Sequence, residues 1–201
     1  MRLTPLAKEL PRDKLISCLK QATMHDPTSH ALHYSLGVHL TQDGGMDDPS
    51  DERWEEICQG VESLERSIVL NPADTRAHYN LGMAVSARHK YAMRTRRMHL
   101  LPPAQEAAES LINALEMAIR LERKCDEAGC KNGLNLAEAY LTLGDFVLCL
   151  KNFELARTYL NQVDDSIKRG GDTNEDWAQS MVQQVSSMLD YIHENEAPLV
   201  K

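Results

Sequence analysis

The side chains best suited to chemistry in this sequence are its cysteines and histidines, but their spacing forms no complete catalytic or metal-binding set. Cys125 and Cys130 have four residues between them, which would suit either two metal ligands or a disulfide bridge. A structural zinc site needs four ligands, and neither a second cysteine pair nor a nearby histidine completes the set. We therefore expect no bound metal ion and no cofactor.

The histidines that need an interpretation are His33 and His78, which begin two similar pentapeptides, HYSLG and HYNLG. A histidine that recurs within an apolar helical pattern is more often a partly buried packing residue than a catalytic one. The remaining cysteines, Cys18, Cys58 and Cys149, lie inside helical patterns and are expected to be small core residues.

Motifs of the common enzyme classes are missing from the sequence. It has no glycine-rich phosphate-binding loop, no zinc-protease helix motif and no nucleophile elbow. It also has no pair of carboxylates in an apolar setting. Because no catalytic constellation is present, we expect that the protein is not an enzyme.

Charged residues are concentrated in two segments of opposite sign. The acidic segment, 43–56, has one arginine, Arg53, and lacks the alternating oxygen ligands and central glycine of a calcium loop. Its acidic residues are Asp43, Asp47, Asp48, Asp51, Glu52, Glu55 and Glu56. The basic segment, 88–99, lies in a stretch without any acidic residue from 86 to 105 and includes two histidines. Its cations are Arg88, Lys90, Arg94, Arg96 and Arg97.

The basic segment has two interpretations, and the sequence leaves both open. It is either a solvated helix, partly neutralised by the acidic segment, or a docking face. As a docking face it would bind an acidic protein segment or RNA phosphates. Tyr91 is the only aromatic residue in the segment, which is little support for base stacking.

The composition is typical of a helical protein inside a cell. Only 5% of the residues are aromatic, whereas leucine, alanine, methionine and glutamate are common, which favours helices over sheets. The net charge of −8 should repel nucleic acid and anionic membranes from the molecule as a whole. No apolar run approaches about 18 residues, and the first residues lack the apolar core of a signal peptide. The odd number of cysteines suits a reducing compartment, so we expect an intracellular protein without a membrane partner. Its default location is the cytoplasm, and the sequence leaves an organelle open.

Two segments of the chain resemble each other over 21 positions at a constant offset of 45 residues. The first begins at Ser17 (SCLKQATMHDPTSHALHYSLG) and the second at Glu62 (ESLERSIVLNPADTRAHYNLG). Proline, tyrosine, leucine and glycine stay in register, and the proline lies where one helix ends and the next begins. A further pair of helical patterns occupies 130–163, and we expect a single turn at Gly144-Asp145 to join them.

These features resemble tetratricopeptide repeats, in which helix pairs of about 34 residues stack into a right-handed solenoid. The segment 130–163 fills this frame, with residues typical of the family at Leu136, Tyr140, Gly144, Phe153 and Ala156. It departs from the family at Ala137, Cys149 and Asn161. The resemblance implies an all-α fold in one domain. Its parts are a half-repeat helix at 1–29, repeats at 30–74, 75–125 and 130–163, and a capping helix at 172–196.

The first two repeats exceed the frame, with 45 and 51 residues, and the excess lies between the two helices of each pair. In the first repeat we expect an acidic loop, followed by a helix that Asp48 or Ser50 caps. In the second repeat no helix breaker precedes Pro102, so we expect its first helix to continue to about His99 and to project from the body. Equivalent loops of stacked repeats share an edge, so the two insertions should be neighbours.

The last helical pattern follows a glycine pair at 170–171, which is typical of a helix end. Thr173 and Asp176 form a weak capping box at its start. We expect this helix to cover the last repeat, although it could instead fill the binding groove of the protein itself. Its apolar stripe consists of Trp177, Met181, Val185, Met188 and Ile192.

In the family that this chain resembles, the first helices of the pairs line a groove that holds an extended peptide or a helix. The corresponding residues are Ala31, Tyr34, Ser35 and Val38 in the first repeat, Arg76, Tyr79, Asn80 and Met83 in the second, and Lys131, Leu134, Asn135 and Glu138 in the third. The resemblance thus implies an apolar groove floor with tyrosines. Arg76 and Lys131 could orient a carboxylate there.

Two functions follow from this interpretation. The first is an adaptor or scaffold that binds a peptide or helix of a protein partner in the groove. The second is a structural subunit of a large assembly, such as a ribonucleoprotein, docked through the basic segment. Salt should separate them, because phosphate contacts weaken steeply as salt rises and apolar contacts do not.

Overall fold

Strong helix formers dominate the chain, and the protein is all-α as the composition predicts. Its structure is a computed structural model that describes residues 11–42, 50–127, 135–169 and 175–196. These residues form eight α-helices and a short 3₁₀ helix at Met98–Leu100, and they contain no β-strand. The α-helices are α1 (Arg12–His25), α2 (His30–Gln42), α3 (Asp51–Leu70), α4 (Thr75–Arg94), α5 (Ala104–Glu127), α6 (Leu136–Cys149), α7 (Phe153–Arg169) and α8 (Glu175–Glu196). None of these helices is long and apolar enough to cross a membrane.

The chain divides into two compact units, unit 1 at residues 1–101 and unit 2 at 102–201. In unit 1, α2 packs against α1, α3 and α4, and α3 also packs against α4. In unit 2, α6 packs against α5, α7 and α8, and α7 also packs against α8. Each unit therefore has one helix, α2 or α6, that three other helices cover.

A close crossing of two helices recurs in the two units. A Cβ atom on Gly37 of α2 would lie 2.6 Å from Cγ of Leu64 in α3. A Cβ atom on Gly144 of α6 would lie 2.6 Å from Cδ2 of Leu160 in α7. A small residue stands four positions before each leucine, Gly60 before Leu64 and Ala156 before Leu160. Each small residue therefore lies on the same helix face as its leucine. The pairs α2–α3 and α6–α7 are therefore built in the same way.

This equivalence corrects the register that the sequence predicts for the third repeat. The turn predicted at Gly144-Asp145 is wrong, because α6 continues through these residues to Cys149. The residues equivalent to Leu36-Gly37 are therefore Leu143-Gly144. Glycine followed by aspartate is typical of turns, but here the glycine permits the close approach of α7.

Two helices end at residues with positive φ although neither residue is glycine. Arg96, with φ of 60°, follows the end of α4, and Lys151, with φ of 59°, follows the end of α6. The next amide donates to a carbonyl five residues earlier, at 2.8 Å after α4 and 3.2 Å after α6. This is the Schellman arrangement. The prediction that α4 continues to His99 is wrong, because this motif ends α4 at Arg94 without a glycine or proline.

The end of α4 meets the start of α3. Ser50 is the cap of α3, and its carbonyl accepts a hydrogen bond of 3.0 Å from the Tyr91 hydroxyl. The Tyr91 ring stacks on Trp54 with centroids 6.1 Å apart, and Arg97 donates to Asp51 at 2.5 Å. The prediction that the two insertions are neighbours is confirmed for the described residues. The predicted projection is wrong at Tyr91, since this side chain is fully buried.

The single arginine of the acidic segment is a buried structural residue. Arg53 donates to the carbonyls of Leu40 and Thr41, at 2.7 and 3.1 Å, in the last turn of α2. A cation at a helix C-terminus satisfies carbonyls that have no partner within the helix. Burial raises the pKa of Glu56, but hydrogen bonds from Arg12 and Arg53 outweigh this and hold the pKa below its usual value.

The two recurring histidines have equivalent structural roles. Nε2 of His33 donates to the carbonyl of Pro27 at 3.1 Å, and Nε2 of His78 donates to the carbonyl of Pro72 at 2.9 Å. His33 is half-buried and His78 is buried. The prediction that both are packing residues is confirmed.

The cysteines differ from the prediction in their exposure. Cys58 is half-buried, and burial raises the pKa of its thiol. Cys18 and Cys149 are exposed, so the prediction that they are core residues is wrong. Cys125 is disulfide-bonded, which is one of the two alternatives that its spacing left open. Cys130 lies outside the described residues.

The terminal helices lie near their predicted positions. Helix α1 falls within the predicted half-repeat at 1–29. Helix α8 lies within the predicted range 172–196, and its apolar stripe is buried or half-buried where it packs on α6 and α7. Gly170 and Gly171, predicted to end α7, and Thr173, predicted to cap the start of α8, lie outside the described residues.

Candidate functional site

The groove residues predicted on α2 and α4 meet in unit 1. Nδ2 of Asn80 donates to the Tyr34 hydroxyl at 3.2 Å and to the carbonyl of Arg76 at 2.9 Å. The guanidinium carbon of Arg76 lies 5.4 Å from the centroid of the Tyr34 ring, within the range of a cation–π interaction. We call Tyr34, Arg76 and Asn80 the groove cluster.

Asp74 positions the cation of the groove cluster. Its Oδ1 accepts hydrogen bonds from the amides of Arg76 and Ala77, at 3.1 and 3.4 Å, and so caps α4. The same oxygen lies 3.7 Å from Nε of Arg76. The side chain of Asp74 is 8% exposed and that of Arg76 is 60% exposed. The guanidinium is thus oriented from the protein side and open to solvent on the other.

The hydroxyl of Tyr34 can act as a hydrogen-bond donor. Burial raises its pKa, although the charge of Arg76 and the hydrogen bond from Asn80 act in the opposite direction. Tyr34 therefore keeps its proton at neutral pH. Its oxygen accepts from Asn80, and its O–H has no acceptor among the described residues. A ligand carboxylate or carbonyl could take this bond.

Apolar side chains continue the face that carries the groove cluster. Val38 follows Tyr34 by one turn of α2, and Met83 follows Tyr79 by one turn of α4. All of these residues are half-buried, so each has surface left to lose on binding. Tyrosine and methionine contribute contact area readily, because tyrosine loses little entropy and methionine adapts its shape.

The structure describes two of the groove residues predicted in the third repeat, Asn135 and Glu138. Counted from the equivalent glycines, Glu138 stands where Arg76 stands in the second repeat. Lys131 and Leu134 lie outside the described residues. Asn135 is a helix cap and not a groove residue, since its side-chain oxygen accepts a bond of 3.2 Å from the amide of Glu138. Counted from the equivalent glycines, Leu141 takes the place of the tyrosine of the first two repeats. This part of α6 therefore offers no counterpart to the groove cluster.

The basic segment does not form one exposed face. The side chain of Arg97 is only 16% exposed and is held by Asp51 and by the ring and hydroxyl of Tyr91. Arg88 is half-buried, and its charge acts on the Cys58 thiol of α3. Tyr91 is fully buried and cannot stack on a base. The exposed cations of the segment are Lys90, Arg94 and Arg96.

A cleft in unit 2 was not predicted from the sequence. It has a volume of about 640 Å³ and lies among α5, α6 and α7. Arg123 donates to the Tyr140 hydroxyl at 2.8 Å, and the Tyr159 hydroxyl donates to Glu116 at 2.7 Å. Burial and the bond to Glu116 raise the pKa of Tyr159. The lining is completed by Ile119, Arg120, Lys124, Thr158 and Gln162. We call this the α5–α7 cleft.

A sequence signal for this cleft does exist. Residues 120–124 read RLERK, which places three cations within five positions of one helix. The signal is weak, because short runs of cations are common on the solvated faces of helices. Only the tyrosines that α6 and α7 bring to this run turn it into a cleft.

No protein-family model matches the sequence, and no curated protein matches it. The groove cluster and the α5–α7 cleft are the candidate binding sites among the described residues.

Proposed function

We propose that the protein is a non-enzymatic interaction module, an adaptor or scaffold built from helix pairs of the tetratricopeptide type. It binds a peptide or helix of a protein partner on the face of α2 and α4 that carries the groove cluster. The observation that supports this is the contact of exposed Arg76 with half-buried Tyr34 across the two helices. Binding there adds a ligand to side chains that are already oriented.

The chemistry of this face favours a segment with a carboxylate beside apolar side chains. Arg76 and the Tyr34 hydroxyl both donate hydrogen bonds, and an arginine can hold a carboxylate through two of them. Val38, Tyr79 and Met83 would cover the apolar part of the ligand. An ion pair with so exposed an arginine is weak and screened, so the apolar contacts supply most of the affinity. Binding should therefore depend little on salt.

A second candidate function is a structural subunit of a larger assembly, such as a ribonucleoprotein, docked through the basic segment. The exposed side chains of Lys90, Arg94 and Arg96 favour it. Contacts of this kind with RNA phosphates would weaken steeply as salt rises.

A pull-down from cell extract tests the first candidate. The intact chain is compared with the variant Tyr79→Ala/Met83→Ala, and each is washed at low and at high salt. We expect a protein partner that stays with the intact chain at both salts and is lost from the variant. Circular dichroism must show that the variant keeps its helices.

A charge-reversal variant, Lys90→Glu/Arg94→Glu/Arg96→Glu, serves as the control for the basic segment. Arg97 is left unchanged, because its bonds to Asp51 support the fold. We expect this variant to retain the partner. Loss of the partner from this variant, or from the intact chain at high salt, would contradict binding in the groove. It would instead support docking through the basic segment.

A further inference from the structure

The α5–α7 cleft holds positive charge that the described residues do not neutralise. Three cations, Arg120, Arg123 and Lys124, share its lining with one carboxylate, Glu116. Glu116 accepts a hydrogen bond from the Tyr159 hydroxyl and forms no ion pair with the three cations. The chain as a whole has a net charge of −8. The excess of cations in the cleft is therefore opposite in sign to the average of the molecule.

Two of these cations are neighbours on the surface of helix α5. Arg120 and Lys124 are four positions apart, so their charges lie side by side and repel each other. Lys124 lies in the last turn of α5, where the negative end of the helix dipole stabilises a cation. The dipole does not stabilise Arg120, because this residue lies seven residues before the last residue of α5 and therefore outside the last turn. An anion bound between the two side chains would remove the repulsion.

The floor of the cleft is fixed before any ligand arrives. Tyr140 and Tyr159 are only 6% and 7% exposed, and each hydroxyl is tied to a charged side chain of α5. Arg123 uses one of its five N–H donors in the hydrogen bond to Tyr140, and its remaining donors are available to a ligand. Preorganised donors lose less entropy on binding than mobile ones.

We propose that the α5–α7 cleft binds an acidic peptide segment of a protein partner, with the carboxylates of the peptide on Arg120, Arg123 and Lys124. The volume of about 640 Å³ lies within the range of ligand-binding pockets. This site is separate from the groove cluster, which lies on α2 and α4 in unit 1. It goes beyond the proposed function and does not depend on it.

A peptide fits the lining better than RNA does. Base recognition on single strands needs exposed aromatic faces, and both tyrosine rings of the cleft are buried. The side-chain amide of Gln162 has no partner among the described residues and can pair with a peptide backbone.

Fluorescence anisotropy with a labelled hexaglutamate peptide tests this proposal at a salt concentration of about 0.15 M, where charges on the protein surface are screened beyond about 8 Å. The intact chain is compared with Arg120→Gln/Lys124→Gln, a change that breaks no hydrogen bond or ion pair among the described residues. We expect this variant to bind about 10-fold more weakly or worse, because two charge-assisted hydrogen bonds are lost. The matched control is Lys14→Gln/Lys20→Gln, which removes the same charge from exposed positions of α1.

The control should bind within about 2-fold of the intact chain, since general attraction contributes little when screened. The groove variant Tyr79→Ala/Met83→Ala should also bind normally, which separates this site from the proposed groove. The proposal is overturned if the intact chain does not bind hexaglutamate, or if both glutamine variants lose affinity equally. It is also overturned if unlabelled hexauridylate displaces the peptide as well as unlabelled hexaglutamate does, because the cleft would then accept RNA.

Discussion

Replacing Gly37 by alanine should destabilise unit 1, although alanine is the better helix former. The new Cβ would lie 2.6 Å from Cγ of Leu64 and 2.9 Å from the carbonyl oxygen of Gly60. Carbon atoms that are not bonded prefer separations of about 3.5–4.0 Å. The backbone carbonyl of Gly60 cannot rotate away, so α2 and α3 would have to separate by roughly 1 Å at their crossing.

The magnitude follows from two opposing effects. Alanine in place of glycine in a helix stabilises by about 1 kcal/mol. Extra volume in a well-packed core costs about 1–3 kcal/mol. The crossing is flanked by Leu40 and Leu64, which are fully buried. We therefore place the cost in the upper part of its range and expect the free energy of unfolding to fall by about 1–2 kcal/mol.

Urea denaturation followed by circular dichroism measures this change, and Gly144→Ala is the matched comparison. At Gly144 the new Cβ would meet only the side chain of Leu160, at 2.6 Å, while the nearest backbone atom, the Ala156 oxygen, lies at 3.6 Å. A side chain can shift more easily than a backbone. We therefore expect Gly144→Ala to cost less than Gly37→Ala.

Double mutants sharpen the comparison. When Leu160→Ala has removed the clash, Gly144→Ala should become stabilising by up to about 1 kcal/mol. In the Leu64→Ala background, Gly37→Ala should stay destabilising, because the Gly60 carbonyl remains. If Gly37→Ala raises the stability of the intact chain, the close crossing of α2 and α3 is wrong.

Two further predictions concern helix ends and pH. Arg96→Gly and Lys151→Gly should each raise the free energy of unfolding by about 1 kcal/mol, because glycine adopts positive φ without steric strain. Urea denaturation checks this, and a loss of stability would contradict the Schellman arrangement. Burial and the bond to Glu116 raise the pKa of Tyr159 in the folded state, so its contribution to stability is complete below the unfolded pKa of about 10 and is lost above it. The unfolding free energy of the intact chain should therefore fall from about pH 9 to 11 more steeply than that of Tyr159→Phe, and equal slopes would refute this.

Much of the groove cluster could be predicted from the sequence. Tyr34, Arg76 and Asn80 were singled out by their places in the repeated helices, and the structure brings these three side chains into contact. The repeat gives this information because equivalent positions of packed helices face the same way. The ion pair of Asp74 with the Arg76 guanidinium could not be predicted from the sequence. The sequence can suggest that Asp74 caps α4, but only the structure shows that the same carboxylate also contacts Arg76.

The third repeat and the α5–α7 cleft could not be predicted in the same way. The apolar spacing around Gly144 suits one long helix as well as two short ones. Only the structure shows that α6 continues through Gly144 to Cys149 and packs closely on Leu160 there. The cleft likewise depends on Tyr140 and Tyr159, which are distant in sequence from the cations of α5.

The sequence alone determined the helical class, the pairing of α2 with α3 and the sign of each charged segment, because these depend on local composition and spacing. Tertiary structure decided where α4 ends, how the third repeat is registered and which charges remain open to a ligand. Arg97 shows the reason. Its charge is plain in the sequence, but its partner Asp51 lies 46 positions away, and only folding brings the two within 2.5 Å.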